Sequence, residues 1–301
     1  MTYIIENANI LKEDELFTTS FLVKDNQIAF MSNKFSKYSF MKMSAEPYIM
    51  TPTYVLFDSL KNMKTSFQEK KEYFIKHFIQ KGSTTLLTYV DVKYETDLQS
   101  KLKSKKVELI GSPIDYIIGV KIPLKLLSPG FIRKCKREKI PVIFLDLNDG
   151  DNLLNLPWGW IREAMFPYNS LLVPFFGSDN QPINKKLLHD WNAVLEENKL
   201  HHIEVPLTEG APLPLKLLSK MGIYPIKSAL RQGGELSYNL YKRSREIKNI
   251  DVQSLFHYHN DRLLVTVHKG VVVRAAKDEI LFRSGFGEYV TINMPSYFSI
   301  S

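Results

Sequence analysis

The chain has 301 residues, 44% of them hydrophobic, including 15 Tyr and 18 Phe. That is enough apolar material for a large packed core and excludes a disordered chain. A single cysteine, Cys135, excludes a disulfide framework and accords with a reducing compartment. The net charge of +8 permits weak attraction to anionic surfaces.

No apolar run approaches the roughly 18 residues a membrane span needs. The N-terminus lacks a basic stretch followed by an apolar run and a small-residue cleavage site. A cytoplasmic location is therefore expected. The densest basic run, Arg133-Lys134-Cys135-Lys136-Arg137-Glu138-Lys139, reads as the solvated outer face of a helix. No stacking aromatics interleave it, so nucleic acid is not expected as a partner.

In chain order, residues 3–11 alternate like a half-buried strand. Phe21 to Val23 and Ile28 to Met31 flank Asp25-Asn26, two residues that tolerate left-handed geometry, which predicts a hairpin. Tyr54 to Phe57 is a short buried strand running into the carboxylate of Asp58. Ser66 with Glu69 is a capping box, and Phe67, Phe74 and Phe78 recur at helical spacing before Gly82. Ser83 to Tyr89, Val107 to Gly111, Tyr116 to Ile122, Pro141 to Leu145, Ser170 to Phe176 and His202 to Leu207 read as strands. Helices are expected after Ser128-Pro129, around Trp158 to Met165, over Asn184 to Asn198, and from Leu213 to a stop at Gly222. Gly233 to Tyr241, Leu263 to Val267 and Val271 to Arg274 return to β-structure, and Phe282 to Gly287 closes the pattern.

Alternating β and α elements predict a parallel sheet or barrel. A complete eight-stranded barrel takes about 250 residues, so the fewer than 180 from Tyr54 to Gln232 suffice for roughly six units. The fold class expected is α/β: an incomplete or distorted barrel over 53–232, with a small β-sandwich formed by 1–52 and 233–301.

Several segments carry a family resemblance. Met50-Thr51-Pro52-Thr53-Tyr54-Val55-Leu56-Phe57-Asp58-Ser59-Leu60 resembles the first barrel strand of the amidohydrolase superfamily, hydantoinase- and deacetylase-like metal-dependent hydrolases. Gly82-Ser83-Thr84-Thr85 resembles its second strand, and Gly233 to Tyr241 its return to the sandwich, with Asn239 at an aspartate position. The chain resembles a degenerate, shortened member. The resemblance implies two metal-binding histidines at positions held here by Asp58 and Leu60. It also implies a bridging-lysine strand at Tyr116 to Lys121, a metal histidine at Leu145, and Glu209 in place of a general-base aspartate.

The residues themselves offer a polar set at strand exits: Asp58, Asp91, Lys121, Asp146, Asn148, Asp149, Asp179 and Glu209. Function in such folds sits at the C-terminal ends of strands, although Asp and Asn there also serve as helix caps. The seven histidines read as surface or packing residues, including the His257-Tyr258-His259 pair. The expected function is non-catalytic binding of a small molecule or protein partner through Asp58, Asp91, Lys121, Asp146 and Asn148, with no cofactor. An ion pair between Asp58 and Lys121 is expected to replace the metal. The alternative is a single-metal hydrolase of carbon–nitrogen bonds, with one zinc-like divalent ion on Asp58 and Asp146 and with Glu209 as the catalytic carboxylate. Oligomerisation is compatible with either.

Overall fold

The computed structural model describes residues 1–64, 66–176, 181–243, 250–276 and 279–295. The chain opens with β1 (Thr2–Lys12), β2 (Glu15–Lys24), β3 (Gln27–Ser32), β4 (Met41–Ser44) and β5 (Tyr48–Pro52). A β/α alternation follows: β6 (Tyr54–Phe57), α1 (Phe67–His77), β7 (Ser83–Asp91), α2 (Leu98–Glu108), β8 (Asp115–Pro123), α3 (Pro129–Arg137), β9 (Val142–Leu147), α4 (Trp158–Met165), β10 (Leu171–Phe176) and α5 (Gln181–Glu197). Then come α6 (Leu215–Lys220), β11 (Tyr238–Lys242), α7 (Val252–Tyr258), β12 (Leu263–His268), β13 (Val271–Ala275) and β14 (Glu279–Ile280).

Two sheets organise these elements. A nine-stranded sheet runs β14-β13-β12-β11-β5-β1-β2-β3, with β4 on β1. Strand β5 is its seam, parallel to β1 on one side and antiparallel to β11 on the other. Both chain ends thus share one hydrogen-bonded sheet, where a two-sheet sandwich was expected. The β2–β3 and β12–β13 turns lie against each other: Asp25 and Asn26 take φ of 49° and 64°, and a Cβ on Gly270 would lie 2.5 Å from the Asn26 side chain.

The second sheet is parallel throughout, in the order β10-β9-β8-β7-β6, and curls into a partial barrel. Among the described residues it has five strands, where the chain length suggested roughly six units. Strand alternation sends Leu56, Leu86, Ile118, Leu145 and Leu172 outward to the helical layer, and Val55, Leu87, Ile117, Val142 and Leu171 inward. The inner face is filled by Leu213, Leu218, Met221, Ile223 and Ile292.

One segment spans both open edges of this sheet. At β10, His202 bridges Leu172 in parallel, and Leu172 N–H donates to His201 C=O at 2.9 Å. At β6, Gly210 N–H donates to Phe57 C=O at 2.9 Å and Leu213 N–H to Val55 C=O at 3.0 Å. Residues 201–213 therefore satisfy backbone groups on each edge without forming a strand. This corrects the reading of His202 to Leu207 as a strand: its apolar residues Ile203 and Leu207 plug the barrel interior instead. Val107 to Gly111 was also expected as a strand and is the last turn of α2 with its cap, Leu109 N–H donating to Lys105 C=O. A short apolar run cannot distinguish the two periods.

Local signals elsewhere hold. Ser66 Oγ accepts from Glu69 N–H at 3.3 Å and Ser128 Oγ accepts from Phe131 N–H at 3.1 Å, while Gly82, at φ 74°, closes a 3-10 turn over Ile79–Lys81 that follows α1 instead of ending α1 itself. Among the described residues no helix is long and apolar enough to cross a membrane.

The C-terminal stretch crosses the barrel base. Tyr116 N–H donates to Glu288 C=O at 2.9 Å, and Val290 N–H returns to Tyr116 C=O at 2.9 Å. Gly287 lies so close that a Cβ would stand 1.9 Å from the Ile114 carbonyl oxygen. Gly287→Ala is expected to cost at least about 2–3 kcal/mol, because the obstacle is backbone. Gly159, with nothing near its missing Cβ in helix α4, should instead gain up to about 1 kcal/mol as alanine. Paired thermal melts check both signs.

Candidate functional site

The barrel mouth is built in layers from the inward positions. The second layer is aromatic: Phe57 stacks on Phe144 at 5.1 Å between ring centroids and on Tyr89 at 6.1 Å. Phe175 meets Tyr89 edge-on at 6.0 Å. Glycine at 119 makes this layer fit, since a Cβ there would sit 3.0 Å from the Phe144 ring and 2.9 Å from Val142 C=O.

Above the rings lies an ionic layer. Strand register sets Asp91 opposite Lys121, and Asp146 opposite Phe175. Lys121 Nζ is 3.0 Å from Asp91 Oδ2 and 3.5 Å from Asp146 Oδ2, and lies 4.7 Å from the Phe175 ring centroid. Burial alone would lower the Lys121 pKa, but the hydrogen bond it donates to Asp91 and the charge of Asp146 hold it above the ordinary value. Two buried polar atoms near this layer, Tyr89 Oη and Asp146 Oδ1, have no hydrogen-bond partner among the described residues. Burial raises the Tyr89 pKa, with the charges of Glu209, Asp91 and Asp146 adding to it.

Asp58 belongs to a neighbouring group. Val55 and Phe57 point inward, so alternation turns Asp58 toward α1, not into the barrel as expected. Its carboxylate accepts from Leu60 N–H at 2.7 Å and from Tyr73 Oη at 2.9 Å. The expected Asp58–Lys121 pair is therefore absent, each partner being engaged elsewhere. Burial raises the Asp58 pKa, and Glu209 adds to the rise. Glu209 Oε1 accepts from Ser59 N–H at 3.3 Å. Tyr73 stacks on His77 at 4.2 Å, and burial lowers the His77 pKa.

The remaining expected positions separate. Leu145 and Leu60 both pack in the outer helical core, so the residue facing the mouth on β9 is Asp146. Asn148 is exposed, its N–H donating to Asp151 Oδ2 at 2.8 Å in the turn after β9. Asp149 is exposed in the same turn. Asp179 lies outside the described residues.

A second ionic cluster, at the opposite end of the barrel, escaped sequence reasoning. Asp115, fully buried at the start of β8, is 2.5 Å from Lys227 Nζ and 2.7 Å from Lys269 Nζ, and accepts from Glu288 N–H at 2.8 Å. Lys227 also contacts Glu235. His268, with no exposed surface, is 3.8 Å from Asp115 and 4.0 Å from Glu235. Asp115, Glu235 and His268 are the one set among the described residues with three potential ligand atoms within 4.8 Å of one another. The lysines already neutralise its carboxylates, which suits an ion-pair network more than a cation site. Its members come from four separate segments and share no spacing. The β-stretches flanking His268-Lys269-Gly270 were legible, and they carry no sign of a charged cluster.

No family model matches the sequence, and no curated protein matches it. Solved structures do. The chain is similar to a dihydropyrimidinase from Brevibacillus agri NCHU1002, with a TM-score of 0.68 at 10% identity, covering 100% of each chain. It is similar to a D-hydantoinase from a Bacillus sp. AR9, at 0.64 and 10% identity over 97% of this chain and 99% of that one. An L-hydantoinase from Arthrobacter aurescens matches at 0.58 and 14% identity over 97% and 100%. At such identities the likeness is one of fold alone: the chain is folded like these hydantoinases and dihydropyrimidinase.

Proposed function

We propose that this chain is a non-catalytic, amidohydrolase-like protein that binds a small molecule or protein partner at its barrel mouth and carries no two-metal centre there. The observation that supports the reading is the ammonium of Lys121, held between Asp91 and Asp146 above Phe175. A cation of the chain's own occupies the point where the carboxylates converge, and four aromatic rings fill the space beneath. This donor set does not fit two metal ions, which need several imidazole or carboxylate ligands converging on open coordination positions. Asp91, Lys121, Asp146 and the exposed Asn148 are the proposed contacts, with Asp58 turned away onto Tyr73, and the buried, single cysteine accords with a cytoplasmic setting.

A second reading has one observation in its favour. Asp58 and Glu209 accept from adjacent backbone donors, Leu60 N–H and Ser59 N–H, and such a carboxylate pair would supply hard-cation ligands to a one-metal hydrolase. Elemental analysis of protein purified without chelator separates the two. The expected result is less than about one equivalent of zinc per chain, with no ring opening of a dihydropyrimidine or hydantoin when zinc is added. About two tightly bound metals, the stoichiometry of a two-metal site, overturns the proposal. One metal with zinc-dependent hydrolysis that Glu209→Gln abolishes establishes the second reading.

A further inference from the structure

A large cavity lies away from the barrel mouth. It lies between the nine-stranded sheet, α6 and the start of α7, and holds about 620 Å³, inside the roughly 300–1,000 Å³ range of small-molecule pockets. Its floor is apolar and buried: Ile10, Leu11, Val55, Leu213 and Leu218. The polar groups beside that floor are already hydrogen-bonded within the protein. Tyr54 Oη is 2.8 Å from Tyr241 Oη, and Gln253 Nε2 donates to Pro212 C=O at 3.0 Å. Asp251 is engaged at the N-terminus of α7, accepting from Ser254 N–H at 2.8 Å.

Apart from Asp251, whose carboxylate is taken up by the N-terminus of α7, charge appears at the rim, and with both signs. Lys12, Glu13 and Asp14 come from the β1–β2 hairpin and Lys216 from α6, all exposed, with Phe17 41% exposed beside them. Charge complementarity with such a cavity requires an uncharged buried part, since an ion on that floor would lose its hydration with no partner. The mixed rim does not select a charged end group. Half-buried Ser228, held at φ 57°, adds one hydroxyl to the lining.

We infer that this cavity is a binding site for an uncharged, mostly apolar small molecule with a hydrogen-bonding end, separate from the barrel mouth. The site uses no residue of the ionic layer, so it stands or falls independently of the function proposed above.

Titration of the full chain with N-phenyl-1-naphthylamine, a neutral fluorescent aromatic, tests it, with displacement by 1-decanol, decanoate and decylamine. Saturable one-to-one binding is expected, with decanol displacing the probe at a concentration about tenfold or more below those of the two ions. Ala229→Trp and Val252→Trp fill the cavity from different walls and should each weaken probe binding by about tenfold or more, with melting curves reporting that they fold. Absence of saturable binding in the wild type overturns the inference. Equal displacement by the ions, or unchanged affinity in both folded tryptophan variants, does so as well.

Discussion

Replacing Asp115 with alanine is expected to lower stability by about 3–5 kcal/mol, the scale for removing one partner of a buried ion pair. The loss is large because Asp115 is fully buried and neutralises two ammonium groups, Lys227 and Lys269. It also holds Glu288 N–H, so the C-terminal strap loosens with it. Denaturant unfolding of Asp115→Ala measures the effect, and Asp115→Asn, which keeps the acceptor for Glu288, should lose less. An Asp115→Ala protein as stable as wild type sinks the account.

The same cluster sets a pH dependence. Burial lowers the His268 pKa from 6.5 to about 4, the carboxylates nearby opposing it only in part. The folded value is below the unfolded one, so the contribution is fully present above about pH 6.5 and is lost as pH falls toward 4, by roughly 3 kcal/mol. Asp115 behaves alike at lower pH. Burial would raise its pKa, but Lys227 and Lys269 hold it below the ordinary carboxylate value, so its contribution disappears only in stronger acid. Stability measured from pH 7 to pH 4 should fall, and His268→Phe should flatten that slope. A wild-type curve that is flat over this interval contradicts the assignment.

The second large effect is expected at Lys121. Lys121→Glu would set three carboxylates together above Phe175, with Asp146 Oδ1 already lacking a donor among the described residues. Like charges at that spacing cannot all stay ionised without cost. A loss of about 2–3 kcal/mol is expected at neutral pH, below the fully buried scale because Asp91 is half exposed. Millimolar calcium should restore much of it, since three oxygens of one sign suit a hard cation and binding to the folded state alone stabilises it. Lys121→Met, with one negative charge fewer, should be milder and respond less to calcium. If Lys121→Glu melts like wild type without calcium, Lys121 does not act as the resident cation.

Strand periodicity made part of this site readable. Asp91, Lys121 and Asp146 stand at exits of strands whose apolar runs are unambiguous, and parallel register then brings them together. Helix caps at Ser66 and Ser128 were legible because their side-chain bonds are local. Asp58 was misdirected by its position just past a strand: the chain turns at Leu60, with φ of 58°, and the carboxylate closes onto Tyr73. The cluster around Asp115 and the edge-spanning segment 201–213 were illegible for a common reason. Both depend on which distant backbone lies alongside, and no spacing along the chain encodes that.

The seam at β5 has a consequence during synthesis. One edge of β5 pairs with β1 soon after both emerge, but its other partner, β11, begins only after a further 185 residues beyond Pro52. At about 5–20 residues per second, a nascent chain presents that naked edge for roughly ten to forty seconds. The curled sheet from β6 to β10 must form in the meantime, with its own edges open until residues 201–213 arrive. A ribosome stalled anywhere between Phe176 and Tyr238 would therefore hold a chain in which the outer edge of β5 is free to pair with another copy.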